Sequence, residues 1–161
     1  MDRKRKKQAG IFCCLLLIWM GVIFSFSAQK AVQSSHMSHG ISYRIVESVC
    51  GEQKSEKEIE RLALRIEYPI RKAAHMSEYA VLGMLFVGAM SAWECARTKK
   101  YILAQLGASF YAATDECHQT FVQGRDGSPR DVLIDSVGCL LGLLLLLFFV
   151  RLHQKNRKKT G

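Results

Sequence analysis

Arg71-Lys72-Ala73-Ala74-His75-Met76-Ser77-Glu78-Tyr79 heads a stretch of chain that turns wholly apolar from Ala80 to Val87. An ionisable side chain carried to membrane depth costs at least about 2.5 kcal/mol, so it normally faces a bundle interior or a wet cavity rather than lipid. Asp115-Glu116-Cys117-His118-Gln119 closes a second apolar stretch in the same manner, and Arg125, Asp131 and Asp135 follow it. Polar groups placed at the ends of apolar segments therefore point to an integral membrane bundle with one polar site.

The rest of the chain fits that frame. It has 161 residues, of which 49% are hydrophobic, and they gather into a few blocks separated by charge, so one domain over residues 1–161 is expected. A bilayer crossing takes about 20 mostly apolar residues. Residues 10–28 and 132–150 meet that length outright; residues 73–93 and 101–122 do so with their polar ends included. Neighbouring helices can supply the hydrogen-bond partners that lipid cannot, which lets such imperfect segments insert. The expected fold is all-α: four transmembrane helices and an extracytoplasmic loop, residues 29–72, containing a short amphipathic helix.

Charge orients the bundle. Arg3, Lys4, Arg5, Lys6 and Lys7 precede the first span, Arg97, Lys99 and Lys100 separate the second from the third, and Arg151, Lys155, Arg157, Lys158 and Lys159 follow the fourth. With four spans these clusters share one side, which the positive-inside rule makes cytoplasmic. Both termini, 1–9 and 151–161, are then cytoplasmic basic tails of a multi-pass protein of the bacterial cytoplasmic membrane. The net charge of +9 is thereby explained by topology, and no nucleic-acid motif accompanies it. The basic start, the apolar run and Ser25-Phe26-Ser27 also match a cleavable signal peptide, an alternative that would leave three spans.

Between Lys30 and Pro69 the chain is polar, with Ser34, Ser35, Ser38 and Ser42 in a stretch that looks like loop or irregular cap. Ser55 and Glu58 have capping-box spacing, and Ile59, Leu62, Ala63 and Ile66 make an apolar stripe on a helix expected to stop before Pro69. That helix can lie on the membrane face or simply pack on the bundle. Of six cysteines, Cys13, Cys14 and Cys139 fall in spans and Cys95 on the cytoplasmic side. Only Cys50 and Cys117 share the outer side, and sequence does not decide whether they pair.

Helical phase groups the polar residues. At about 100° per residue, Arg71, Lys72, His75, Glu78 and Tyr79 fall within an arc of about 120°. Asp115, Glu116 and Gln119 share about 100° of the next helix, with His118 to one side, and Asp131, Asp135, Gly138 and Gly142 form a narrow stripe on the last. The glycines allow close helix approach below the two carboxylates. All three faces lie at extracytoplasmic helix ends, so one outward-opening pocket is expected, lined by these residues and Arg125. An ion-pair network that merely fixes helix register is the structural alternative. Lys72 can also snorkel, Tyr79 can sit in an aromatic belt and His118 can face outward.

Three chemistries suit the residue types. His75 with Asp115 or Glu116 can make an acid/base pair. Asp115, Glu116, His75 and Asp135 can hold a divalent cation, but no metal-ligand spacing is present, so neither metal nor cofactor is expected. Arg71, Lys72 and Arg125 can form a clamp for phosphate or carboxylate.

Phe24-Ser25-Phe26-Ser27-Ala28-Gln29, the Arg71-Lys72-x-x-His75-x-x-Glu78-Tyr79 run, Asp115-Glu116-x-x-Gln119-x-Phe121, Gly124-Arg125 and Asp131-Val132-x-x-Asp135-x-x-Gly138-x-x-x-Gly142 resemble, in order and spacing, the VanZ-like membrane family. The resemblance covers residues 19–142. Gln123 stands where the family pattern leads us to expect proline, a change to the loop but not to its charges. The resemblance implies a cell-envelope role associated with resistance to the glycopeptide teicoplanin, and no particular reaction. A non-enzymatic factor is therefore expected, with membrane lipid, lipid-linked cell-wall precursor or the drug as partner. The alternative is a membrane enzyme acting on an envelope lipid or precursor head group through His75 and Asp115/Glu116.

Overall fold

A computed structural model describes residues 3–51 and 53–157, and every regular element among them is helical. The helices are α1 (Arg3–Ser27), α2 (Ala31–Cys50), α3 (Glu56–Ala89), α4 (Arg97–Gln119) and α5 (Pro129–Arg157), with a 3-10 turn, Met90–Ala92, extending α3. Three of them, α1, α3 with its 3-10 extension, and α5, are long and apolar enough to cross a membrane. α1 and α5 carry apolar side chains around most of their circumference: Leu17, Ile18, Leu144 and Phe149 are exposed, as expected of surfaces facing lipid. α5 starts at Pro129, whose missing N–H costs nothing in the first turn, and the Arg130 amide donates to Ser128 Oγ at 3.2 Å.

The core lies where α1, α3, α4 and α5 meet. Ile23, Tyr79, Leu82, Ala104, Ala108, Ala112, Cys139 and Leu143 are buried there. Alanine at every fourth position of α4 leaves a flat strip for its neighbours, while α3 and α5 approach to backbone contact. A Cβ on Gly138 would overlap the Met76 backbone, and one on Gly142 the Ala80 backbone. The small-residue stripe thus performs the close packing read from its spacing. Polar side chains within the bundle cross-link it to carbonyls: Trp19 Nε1 donates to Glu78 O at 2.9 Å, Tyr111 OH to Met20 O at 2.7 Å, and Gln105 Nε2 to Ser136 O at 2.9 Å.

The region between α1 and the polar start of the second apolar segment departs from expectation. Residues 29–72, read as a loop, hold the 20-residue α2 and the first turns of α3. α2 carries no apolar periodicity because its buried positions, Ser38, Ser42 and Val46, are mostly serine. The Ser42 hydroxyl bonds back to its own helix at Ser38 O, and the small size of both serines lets α2 lie against α3 beside the fully buried Ala63.

Nor does Pro69 end a separate short helix. α3 runs through it as one helix of 34 residues, opened by the expected Ser55/Glu58 capping box. Proline removes one ladder bond and strains its own turn, but bonds to α2 straddle this one. Ser38 Oγ donates to Glu67 Oε1 at 3.1 Å on one side of Pro69, and Arg71 Nη1 donates to Ser35 Oγ at 3.1 Å on the other. Pro69 itself is exposed, so the freed Arg65 carbonyl is not sealed in a dry core.

Smaller corrections concern the ends. α4 stops at Gln119, short of residue 122; α3 gives way to the 3-10 turn before residue 93; and α5 continues as helix into the basic tail as far as Arg157. Lys158 and Lys159, like residues 1 and 2, lie outside the described residues. The basic clusters gather at one end of the bundle: Arg5, Arg97 and Lys100 line one hollow, and Arg97 and Arg151 line an adjacent one. All six cysteines, Cys50 and Cys117 included, are free thiols.

Candidate functional site

At the opposite end, α2, α3, α4, α5 and the loop after α4 enclose a cavity of about 310 Å³. Eight of the eleven residues expected to form a pocket line it: Arg71, Lys72, His75, Glu116, Gln119, Arg125, Asp131 and Asp135. Glu78, Tyr79 and Asp115 do not. They stand behind the wall, Tyr79 fully buried in the core and Asp115 3% exposed with its Oδ1 unpartnered. Helical phase had placed them on the correct face, but phase carries no information on depth. Ala31, Ser34, Ser35, Tyr68, Gly124 and Asp126 complete the lining and were not anticipated. Ser34 and Ser35 belong to α2, so they were hidden by the same serine-rich pattern that hid the helix.

Several of these side chains are held by identifiable partners. Lys72 reaches across from α3 to Asp131 on α5 at 2.6 Å, an interhelical ion pair rather than a snorkelling side chain. Gln119 organises the next tier: its Nε2 donates to Asp115 Oδ2 at 3.1 Å and to Glu116 Oε1 at 3.2 Å, and its Oε1 accepts from Arg125 Nη1 at 3.0 Å. Glu116 also ties down the loop, because Oε2 accepts from the Ser128 amide at 2.9 Å. His118 stacks on Phe24 of α1 with ring centroids 4.5 Å apart, away from the cavity.

The loop that delivers Arg125 depends on Gly124, whose φ of 78° lies in the left-handed region that side chains disfavour. Gln123, at the position where proline was expected, uses its carbonyl to accept from the Ala31 amide at 3.3 Å, which anchors the start of α2 to this loop.

His75 is not brought to Asp115 or Glu116. The carboxylate nearest to it is Glu78, one turn along α3, at 3.5 Å from Nδ1. Among the described residues, no group of three or more His, Cys, Asp or Glu side chains stands at metal-holding distance.

The guanidinium groups have weaker counter-charges. Arg125 bonds to two neutral oxygens, Gln119 Oε1 and, at 3.3 Å, Phe26 O. Arg71 has Ser35 Oγ at 3.1 Å, and its carboxylate partner Glu67 is 3.9 Å away. Burial first, and the positive charge of Arg71 second, hold the Arg125 guanidinium below its ordinary pKa against the opposing pull of Asp115, Glu116 and Glu78. Two cations converge on one cavity, each short of a close anionic partner. Guanidiniums so placed can take an anion between them, in a cavity that Glu116, Asp126, Asp131 and Asp135 also line.

A model of the VanZ/LLP1 family matches residues 12–150, which takes in α1 through nearly all of α5 and every cavity residue named above. No curated protein and no solved structure matches the chain. With order, spacing and most of its length in agreement, this apolar, all-helical chain belongs to the VanZ/LLP1 family of membrane proteins.

Proposed function

We propose that this protein is a non-enzymatic factor of the bacterial cell envelope that binds an anionic head group in its polar cavity and thereby lessens the action of teicoplanin-type glycopeptides. The reading takes the chain as a single domain of four spans in the cytoplasmic membrane. α4, 23 residues long with a strip of buried alanines, crosses beside α3 and α5. The basic end holding Arg5, Arg97, Lys100 and Arg151 faces the cytoplasm by the positive-inside rule, both termini with it, and the cavity opens outward. The observation that carries the function is the pair of under-neutralised guanidiniums, Arg71 and Arg125, lining one cavity with Lys72. A phosphate of a lipid or lipid-linked wall precursor, or a carboxylate of the drug, suits that clamp.

One observation favours an enzyme as the second reading: His75 and Asp135 line the same cavity as Glu116. In that case His75 and Glu116 are the groups that act on an envelope lipid or precursor head group, with Asp115 behind them on Gln119. Expression in a susceptible Gram-positive host separates the two. On the binding reading, the wild-type chain raises the teicoplanin concentration needed to stop growth, Arg125→Ala and Lys72→Ala lose that effect, and His75→Gln and Glu116→Gln keep it. Loss in His75→Gln and Glu116→Gln, together with a changed lipid or precursor mass profile, would transfer the case to the enzyme.

A further inference from the structure

The cavity contains a carboxylate to which no donor among the described residues bonds. Asp135 is 2% exposed, lines the cavity one turn along α5 from Asp131, and has no hydrogen bond or ion pair with another described residue. Asp131 by contrast is occupied by Lys72. Buried carboxylates left without a donor carry an uncompensated desolvation cost, and native proteins rarely leave one so. A bound ligand that donates to Asp135 removes the deficit.

The donor can be narrowed by charge. Lys72 is neutralised by Asp131, and Glu116 is taken up by Gln119 and the Ser128 amide, so an ammonium group that enters to donate to Asp135 or Asp126 meets the two guanidiniums of Arg71 and Arg125 as well as those carboxylates. A hydroxyl donates equally well and carries no charge. The two guanidiniums favour an anion elsewhere on the molecule, and their fork shape matches phosphate oxygens geometrically. At about 310 Å³ the cavity is near the lower bound of ligand pockets, large enough for a small phosphate ester but not for a whole lipid.

We propose that the cavity binds a phosphate ester of a polyol, its phosphate held by Arg71 and Arg125 and one free hydroxyl donating to Asp135. This deepens the anion-clamp reading above and rests on it. Ser34 and Ser35 add neutral hydroxyls to the lining. The ester is either a free glycerol-phosphate-type solute or the head group of a phospholipid such as phosphatidylglycerol, because both present the same groups.

Titration of the full chain in phosphatidylcholine nanodiscs tests this, with glycerol phosphate, inorganic phosphate and phosphoethanolamine as ligands. Glycerol phosphate is expected to bind about tenfold tighter than either of the others, the gain of one hydrogen bond to a charged group. Asp135→Leu and Asp135→Ala should bring glycerol phosphate down to the affinity of inorganic phosphate, and Arg125→Gln should weaken both ligands. Thermal melting of each variant establishes that it is folded, and two different replacements guard against failure of one. Phosphatidylglycerol placed in the nanodisc competes with the soluble ester if the source is lipid and leaves its binding intact if the source is a solute.

If phosphate and its ester bind, and Arg125→Gln weakens both, but the ester preference survives both Asp135 replacements or phosphoethanolamine binds as well, the polyol inference is overturned while the clamp stands. If no phosphate compound binds the wild-type chain, the inference and the phosphate form of the clamp fall together.

Discussion

Replacing Gly142 with leucine will unfold the bundle or force α3 away from α5, at a cost of about 3 kcal/mol, the upper end for an overpacked core. A single added Cβ already overlaps the Ala80 backbone, and backbone cannot rotate aside as a long side chain can. Net stabilities of single domains are only about 5–15 kcal/mol, so such a loss removes a large part of the whole. Gly138→Leu meets the Met76 backbone in the same way and should behave alike. Gly21→Leu is the matched control: nothing lies within 4 Å of a Cβ built on Gly21, and it should melt within about 0.5 kcal/mol of wild type, as surface changes usually do. Thermal unfolding in detergent, followed by size-exclusion of the folded fraction, checks all three. Equal melting of Gly142→Leu and Gly21→Leu would mean that the two helices are not in backbone contact.

The second large effect concerns binding. Removing both guanidiniums in Arg71→Gln/Arg125→Gln should lower affinity for glycerol phosphate by about 100-fold or more, since each charge-assisted bond is worth about 1.5–3 kcal/mol. Stability should suffer much less. Among the described residues the Arg125 guanidinium donates to Gln119 Oε1 and Phe26 O, and Arg71 to Ser35 on the half-exposed side of α2 with Glu67 3.9 Å away, so no buried carboxylate loses a close ionic partner. Lys72→Gln is a useful contrast, because it strips Asp131 of a partner at 2.6 Å and should lower melting as well as binding. Isothermal titration beside thermal melting reads both quantities. A double arginine variant that binds as wild type does would remove the clamp from the account.

Which parts of this could be read in the chain follows from what kind of signal each part leaves. Apolar blocks of span length announced α1 and α5, and the Ser55/Glu58 spacing announced the start of α3, because hydropathy and capping are local properties. The Gly138/Gly142 spacing foretold close packing, and α3 supplies the partner backbone at Met76 and Ala80. α2 was illegible since serine, not an apolar residue, occupies its buried positions Ser38 and Ser42. Pro69 misled for a related reason. A proline normally ends a helix, and only tertiary bonds from Ser35 and Ser38 on either side carry α3 through it.

The site divides in the same way. Phase on the helix identified the faces bearing Arg71, Lys72, His75, Gln119, Asp131 and Asp135, and all of these line one cavity. It could not distinguish the lining from the layer behind, where Tyr79, Glu78 and Asp115 stand. The association of His75 with Glu78 rather than with Asp115 or Glu116 depends on how far α3 and α4 are offset along their axes, which no spacing within one helix encodes.

The central claim is that the polar cavity opens to the outer surface and is filled by a small phosphate ester. Ser34 lines it, and no described residue bonds to its hydroxyl, so Ser34→Cys, in a background with the six native cysteines replaced by alanine, reports on it directly. In intact cells a membrane-impermeant thiol reagent added outside should label this residue, and glycerol phosphate should slow the labelling in proportion to its occupancy. Labelling only after the cytoplasmic side is opened, or an outside rate that glycerol phosphate leaves unaltered at any concentration, would contradict the account.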